Sequence, residues 1–249
     1  MKRLQYEIVE WTKGNSNILG IDEVGRGCLA GPLVLGGVIL KKEKLLTLQD
    51  ILTNLYTQNN AQTLMDKKKP QLLPKVEDLT ADINIQNYYK IKDSKKLTEK
   101  QREELSQFII DNAKAYAIVE ISPAEIDKLG MSRATQKAFM QVIAQIRTKI
   151  EVINMIFTDK FAIEGIKKSQ QLNILGGDNL SMSVAAASII AKVYRDNLVS
   201  KLSEQDKYAC YQFHKHKGYG TALHKELILK HGPCDIHRFS FEPIKSYKK

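Results

Sequence analysis

Cysteine is scarce in this chain: Cys28, Cys210 and Cys234 are the only three in 249 residues. An odd number with no Cys-x-x-Cys pair argues against a disulfide framework and fits a reducing compartment, so a cytoplasmic protein is expected. Long apolar runs are missing as well. No stretch approaches the roughly 20 apolar residues of a membrane span, and the start Met1-Lys-Arg-Leu-Gln-Tyr6 lacks the apolar core of a signal peptide. A soluble, unexported protein with no membrane partner is the expectation. Acidic residues are outnumbered, 28 Asp and Glu against 38 Lys and Arg, giving a formal net charge of +10. That excess favours a polyanionic partner through phosphate contacts and counterion release. Charge alone does not name nucleic acid.

With 43% hydrophobic residues over this length, the chain can bury a sizeable core, and we read residues 1–249 as a single domain. The pattern is mixed α/β without an internal repeat. Strands are expected near Ile18–Ile21 and over Leu33–Leu40, joined by a loop compatible with antiparallel pairing. Thr98-Glu-Lys-Gln101 forms a capping box for a helix whose apolar stripe is Leu105, Phe108 and Ile109. Ala115–Ile121 reads as a strand and Ser132–Lys149 as a helix. Val152–Thr158 is a short apolar run, hence a buried strand ending at Asp159. Ser183 is the expected N-cap of an Ala-rich helix that reaches about Leu202.

Chemistry concentrates in Ile18-Leu-Gly-Ile-Asp22-Glu23-Val-Gly25-Arg26-Gly27-Cys-Leu-Ala-Gly31-Pro32. Two adjacent carboxylates end an apolar strand, and buried charge is costly unless it is paired or binds metal. A divalent cation is the obvious partner. Adjacent strand residues point to opposite faces, so Asp22 and Glu23 share a site only if the strand ends or bends there. Gly25 and Gly27 supply that freedom and let backbone N–H groups approach a sugar or phosphate, while Arg26 adds an always-charged donor fork.

This stretch resembles the signature of ribonuclease HII, the type 2 ribonuclease H family. Three further blocks are similar to that family's and occur in its order: Asp93-Ser94-Lys95-Lys96-Leu97; Ala185-Ala-Ala-Ser188-Ile-Ile-Ala-Lys192-Val-Tyr-Arg195-Asp196; and His216-Lys217-Gly218-Tyr219-Gly220-Thr221 with His224, then His237-Arg238-Phe239-Ser240-Phe241. The resemblance spans Ile18 to Pro243. It implies a ribonuclease H-like mixed sheet flanked by helices with a C-terminal helical extension. The implied activity is metal-dependent endonucleolytic cleavage of RNA in RNA–DNA hybrids and at ribonucleotides embedded in duplex DNA, leaving 5′-phosphate and 3′-hydroxyl ends.

By the same resemblance, Asp22, Glu23, Asp159 and Asp178 are the four acids that hold two Mn²⁺ or Mg²⁺ ions. Gly25, Arg26 and Gly27 read the ribose 2′-hydroxyl and the scissile phosphate, Tyr219 packs on the following deoxyribose, and Ser94, Lys95 and Lys96 hold phosphates. The match has departures. Family members usually follow the third acid with glycine, where this chain has Lys160, and usually have lysine where it has Gly177 before Asp178. Asp196 competes as the fourth acid, although its place inside a helix also suits a local ion pair. The five histidines, His214, His216, His224, His231 and His237, have irregular spacing and no cysteine pair, so they are read as packing the C-terminal block or touching phosphate rather than as a zinc site.

Some fifty residues, about 41–89, lie where the family usually has a short connection. They read as a solvated insertion in which Leu45–Leu55 forms an amphipathic helix and Asp66-Lys67-Lys68-Lys69-Pro70 an exposed turn, with the three lysines open as an added nucleic-acid contact. A monomer is expected, and contact with a sliding clamp stays open. The alternatives are a ribonuclease HIII-like hybrid nuclease, disfavoured by the Gly-Arg-Gly loop and by only seventeen residues before Ile18, and a non-catalytic nucleic-acid-binding module.

Overall fold

The two apolar runs around the acidic pair form the centre of a five-stranded sheet ordered β3-β2-β1-β4-β5. In this computed structural model, which describes residues 2–51, 53, 80 and 82–247, β1 (Ile18–Val24) pairs antiparallel with β2 (Leu33–Ile39), placing Asp22 opposite Gly36. β3 (Ala115–Ile121) adds antiparallel to β2. On the other side β4 (Met155–Asp159) and β5 (Gln171–Ile174) run parallel to β1. Every residue of β2 is buried, as expected of a central strand covered on both faces.

The helices in chain order are α1 (Gln5–Thr12), α2 over residues 42–51, α3 (Ile83–Lys90), α4 (Glu99–Asn112), α5 (Pro123–Leu129), α6 (Met131–Arg147), α7 (Gly177–Leu180), α8 (Met182–Leu202), α9 (Asp206–Ala209), α10 (Phe213–His216) and α11 (Ala222–His231). One face of the sheet packs on α8, α4, α3 and α1, and the other on α6. No described helix is long and apolar enough to cross a membrane. The mixed sheet between helical layers, with short helices closing the C-terminus, is the expected architecture.

Adjacent glycines of β2 let both layers approach. An added Cβ at Gly36 meets the Ala187 carbonyl oxygen of α8 at 2.3 Å, whereas at Gly37 it meets Val142 Cγ1 of α6 at 2.3 Å. Gly20 in β1 behaves like Gly36: its added Cβ lies 2.2 Å from the Ser183 carbonyl carbon. Because that obstacle is backbone, it cannot rotate aside.

The capping box at Thr98 and Gln101 is present, and β3 has the expected limits. Three expectations change. The N-cap of α8 is Ser181, whose Oγ accepts the Val184 N–H at 3.2 Å, and Ser183 is buried inside the first turn. Glu7 of α1 completes this cap, its Oε1 accepting from Ser181 Oγ at 2.6 Å and Ser183 N–H at 3.1 Å. β4 starts at Met155 rather than Val152, and Val152 is exposed. Finally, the ends of the 41–89 stretch are core: Leu45 and Leu48 are buried on α2, and Ile85 and Tyr88 on α3. Spacing of three places each pair on one helix face, and the Tyr88 ring meets Phe108 edge-on at 5.0 Å. Leu55 and Asp66-Lys67-Lys68-Lys69-Pro70 lie outside the described residues.

Three of the five histidines, His216, His224 and His237, form a packed cluster at the C-terminal end, while His214 and His231 are exposed. Cys234 N–H donates to His237 Nδ1 at 2.9 Å, so the remaining His237 proton sits on Nε2, 3.1 Å from His224 Nε2. His224 Nε2 must then accept, and its Nδ1–H donates to the Tyr219 carbonyl at 2.9 Å. Only neutral rings satisfy this chain. Burial lowers both groups to about 4.

Two predictions follow from this packing. Gly20→Ala should destabilise the fold by about 3 kcal/mol or prevent folding, because overpacking against backbone has no cheap relief; urea unfolding measures it, and a loss below about 1 kcal/mol contradicts the close approach. For the histidines, the unfolded chain takes up protons near pH 6.5 and the folded one only near 4. Their contribution to stability is therefore intact above about 6.5 and declines as pH falls toward 4. Because the raised carboxylates described below act in the opposite sense, imidazole ¹⁵N shifts are the measurement. Midpoints at or above 6 for His224 and His237 would refute the neutral chain.

Candidate active site

The first acid is positioned by the sheet. Asp22 shares a strand face with Gly20, so its side chain turns toward α8, where Ser188 hydrogen-bonds it. Ser188 Oγ lies 3.1 Å from Ser94 Oγ, and both serines are buried. Glu23 sits on the opposite face, still within the strand, and the chain breaks away only at Gly25, with φ +89°. Asp159 ends the parallel neighbour β4, one residue beyond the last pair, Ile21 with Thr158. Its Oδ1 accepts from the Gly176 and Gly177 N–H groups, each at 2.9 Å. This fixes the turn into α7, which carries the buried Asp178. Acids thus gather outside the carboxyl ends of adjacent parallel strands, where open α/β sheets place their ligands.

Like charge and burial raise these acids. Desolvation, with contributions from Asp159 and Asp178, lifts Asp22 to about 7 despite the Ser188 hydrogen bond. Glu23 rises to about 8 through desolvation and the Asp22 charge, opposed by Arg26. Glu23 Oε2 is buried without a hydrogen-bond partner. An orphaned carboxylate oxygen among all-oxygen donors fits a hard divalent cation such as Mg²⁺ or Mn²⁺. Among the described residues, no three His, Cys, Asp or Glu side chains are already gathered tightly enough to hold a metal ion.

Asp196 lies elsewhere. It is the ion-pair partner of Lys192 at 2.9 Å, one turn back on α8, and its charge acts on Tyr219. Asp178 instead faces Asp22 and the Lys95 ammonium, 3.5 Å from its Oδ2. Partial burial acts to lower the Lys95 pKa, but the Asp178 and Asp93 carboxylates leave it raised overall.

The other named residues divide between the rim and the interior. Lys95 and Lys96 are exposed at the mouth, and Lys96 bonds Asn179 Oδ1. The Ser94 hydroxyl faces inward to Ser188, so it supports Asp22 rather than meeting solvent. The Arg26 guanidinium is folded onto α6, donating to Thr135 Oγ1 at 2.7 Å with its carbon 4.3 Å from the Phe161 ring centroid. The open part of the loop is its backbone: an added Cβ at Gly27 meets nothing within 4 Å. Tyr219 is half-buried, its ring below Lys192 and Arg195 at 5.1 and 5.6 Å. Burial first, then the nearby Cys28, raises it to about 12. His216, His224 and His237 hydrogen-bond backbone or one another, whereas His214 and His231 are exposed.

Four contributors escaped sequence reasoning. Ser188 is a buried polar residue in an otherwise alanine- and isoleucine-rich turn, a signal that was present. Asp93 Oδ1 caps the turn at Lys95 N–H, and Asn179 bridges Asp93 and Asp178; neither has a distinctive spacing. Lys160, where the resemblance expects glycine, adopts φ +67°. That left-handed conformation costs a lysine roughly 1 kcal/mol and explains why glycine suits the position.

Comparison with known proteins gives the family. The family model described as Ribonuclease HII matches residues 19–89 and 79–244. A curated relative named Ribonuclease HII, from Francisella tularensis subsp. novicida (strain U112), is 39% identical over 231 residues, covering 91% of this chain and 97% of its own length. Among solved structures, ribonuclease H2 from Pyrococcus horikoshii OT3 aligns with a TM-score of 0.61 at 22% identity, over 92% of this chain and 96% of its own. The RNase HII of Archaeoglobus fulgidus, solved in complex with PCNA, aligns with a TM-score of 0.60 at 21% identity, over 91% and 95%. With its acids at the strand ends and its glycine loop and tyrosine beside them, the chain belongs to the ribonuclease HII family and is a ribonuclease H hydrolase.

Proposed function

We propose that this chain cuts duplex DNA on the 5′ side of an embedded ribonucleotide, as well as RNA in RNA–DNA hybrids, using two divalent ions held by Asp22, Glu23, Asp159 and Asp178. The observation that carries the reading is the Asp22–Glu23 pair, one acid buried and the other half-buried with an unbonded oxygen, beside a glycine loop whose backbone is open at Gly27. Two Mg²⁺ or Mn²⁺ ions in such a carboxylate cluster supply water activation and charge stabilisation at the leaving oxygen.

The chain's own residues do the rest. Ser188 fixes the Asp22 carboxylate, supported by Ser94, and the Gly176 and Gly177 N–H groups fix Asp159. Lys95 and Lys96 stand at the mouth with the right sign for a phosphate. In the Gly25-Arg26-Gly27 loop the exposed backbone at Gly27 can donate to and accept from a 2′-hydroxyl, the group that separates RNA from DNA. Tyr219 offers a flat face for the sugar on the next nucleotide. With Asp178 facing Asp22 and Asp196 paired to Lys192, the fourth ligand is Asp178. The protein acts as a monomer in the cytoplasm, and the Archaeoglobus complex supports a sliding clamp as a further partner.

The test uses a DNA duplex with one ribonucleotide, a long RNA–DNA hybrid and an all-DNA control, each with Mg²⁺ or Mn²⁺. Metal-dependent incision 5′ to the ribonucleotide is expected, with all-DNA untouched. Asp22→Asn should lower kcat at least about 100-fold, the scale of losing one preorganised electrostatic group. It should melt no lower than the wild type, since it removes a buried repelling charge. Cutting of the long hybrid alone would overturn the embedded-ribonucleotide reading, and cutting independent of metal would overturn the mechanism.

A further inference from the structure

Arg195 is fully buried, and its hydrogen bonds all run to backbone carbonyls. Nε donates to Pro32 at 2.9 Å and Nη2 to Ala30 at 3.0 Å, both in the loop that follows Gly25-Arg26-Gly27. Nη1 donates to Lys217 at 2.9 Å, in the turn that presents Tyr219. The guanidinium also lies over the Tyr219 ring, 5.6 Å from its centroid. One side chain therefore bridges the two segments that the proposed function assigns to the ribose and to the following sugar.

The surrounding glycines are fitted to it. An added Cβ at Gly25 meets Arg195 Nε at 2.3 Å, and one at Gly31 meets Nη2 at 3.2 Å. At Gly218 it meets the Ala30 carbonyl oxygen at 2.4 Å. The loops touch directly as well, Leu29 N–H donating to the Gly218 carbonyl at 2.8 Å. Arg238, equally buried, donates to Arg26 and Gly31 within the first loop. Burying a cation against carbonyls alone is expensive, and an apolar side chain would fill the same volume at lower cost. Only a planar fork spans three acceptors on two loops in fixed directions, which an ammonium cannot do.

We infer that Arg195 is a positioning residue for substrate selection: it locks the Tyr219 turn in register with the Gly25–Gly27 backbone, so that the ribose hydroxyl and the next sugar are recognised as one rigid geometry. The inference rests on the proposed roles of those two segments. Since Arg195 acts through Tyr219, its removal should cost nothing further once Tyr219 is gone.

Arg195→Lys, Tyr219→Ala and the double variant are compared on the single-ribonucleotide duplex and the long hybrid. For Arg195→Lys we expect the ratio of kcat/KM between the two substrates to fall about tenfold, mostly through KM, and the double variant to match Tyr219→Ala alone. Affinity for the junction duplex over all-DNA, measured in Ca²⁺, should fall in parallel. A ratio within twofold of wild type, or effects that simply add in the double variant, would overturn the inference. Should Arg195→Lys lose its fold, Gly218→Ala replaces it; that change keeps Arg195 but wedges the two loops apart, and the same loss of preference is expected. A wild type that neither cuts nor prefers the junction defeats the proposed function. A wild type that prefers it, with variants that prefer it equally, defeats the inference alone.

Discussion

Helix α8 lies against β1 and β2 with no side chain between it and the strands at Gly20 and Gly36, and the active site inherits its dimensions from that contact. Glycine in a strand costs roughly 0.5–1 kcal/mol relative to alanine. The close approach offsets this by bringing backbone and small side chains of a buried helix into van der Waals range of the sheet. Ser188 can reach Asp22 because nothing bulkier than a hydroxyl has to fit between the helix and the strand. The same constraint explains the run of alanines around Ser188, where larger residues would push the helix away. Glu7 and Ser181 then hold the N-terminus of α8, tying a helix that precedes the first strand to the turn that carries Asp178.

Charge is segregated around this scaffold. Four carboxylates collect at the strand ends, two of them raised by burial and mutual repulsion. Two fully buried guanidinium groups, Arg195 and Arg238, sit behind the glycine loop with carbonyls for company. A polyanion approaching this surface meets a negative pole suited to cations and, at its mouth, the exposed Lys95 and Lys96, whose charge suits its own backbone. In a low-dielectric interior such fixed charges are weakly screened. The net charge of +10 gives long-range attraction, while the local separation gives orientation.

How much of this could be read from sequence depended on whether a residue's partner leaves a signature. Asp22 and Glu23 were legible because a charge in an apolar strand demands a reason, and the capping box was legible because Thr98 and Gln101 are its own partners. Asp159 and Asp178 needed the family resemblance, since an acid after a short strand is common. The N-cap of α8 was misplaced by two residues because Ser181 and Ser183 are equally good caps, and the choice falls to Glu7, far away in sequence. The 41–89 stretch looked polar as a whole, which hid the buried pairs at its ends. The loop contacts of Arg195 and Arg238 were invisible because backbone carbonyls carry no sequence identity at all.

One rigid rod links the acid cluster to the loops proposed to gauge the substrate. Ser188 and Arg195 stand two turns apart on α8, roughly 10 Å along the helix axis, one bound to the first acid and the other to the loops around Tyr219. An α-helix packed on both strands does not stretch, so the distance between the proposed metal site and the loops proposed to identify the sugar behaves as a calibrated length. Inserting or deleting a residue between those positions would rotate one end by about 100° relative to the other. The interval between the two therefore tolerates changes of side chain far more readily than changes of length.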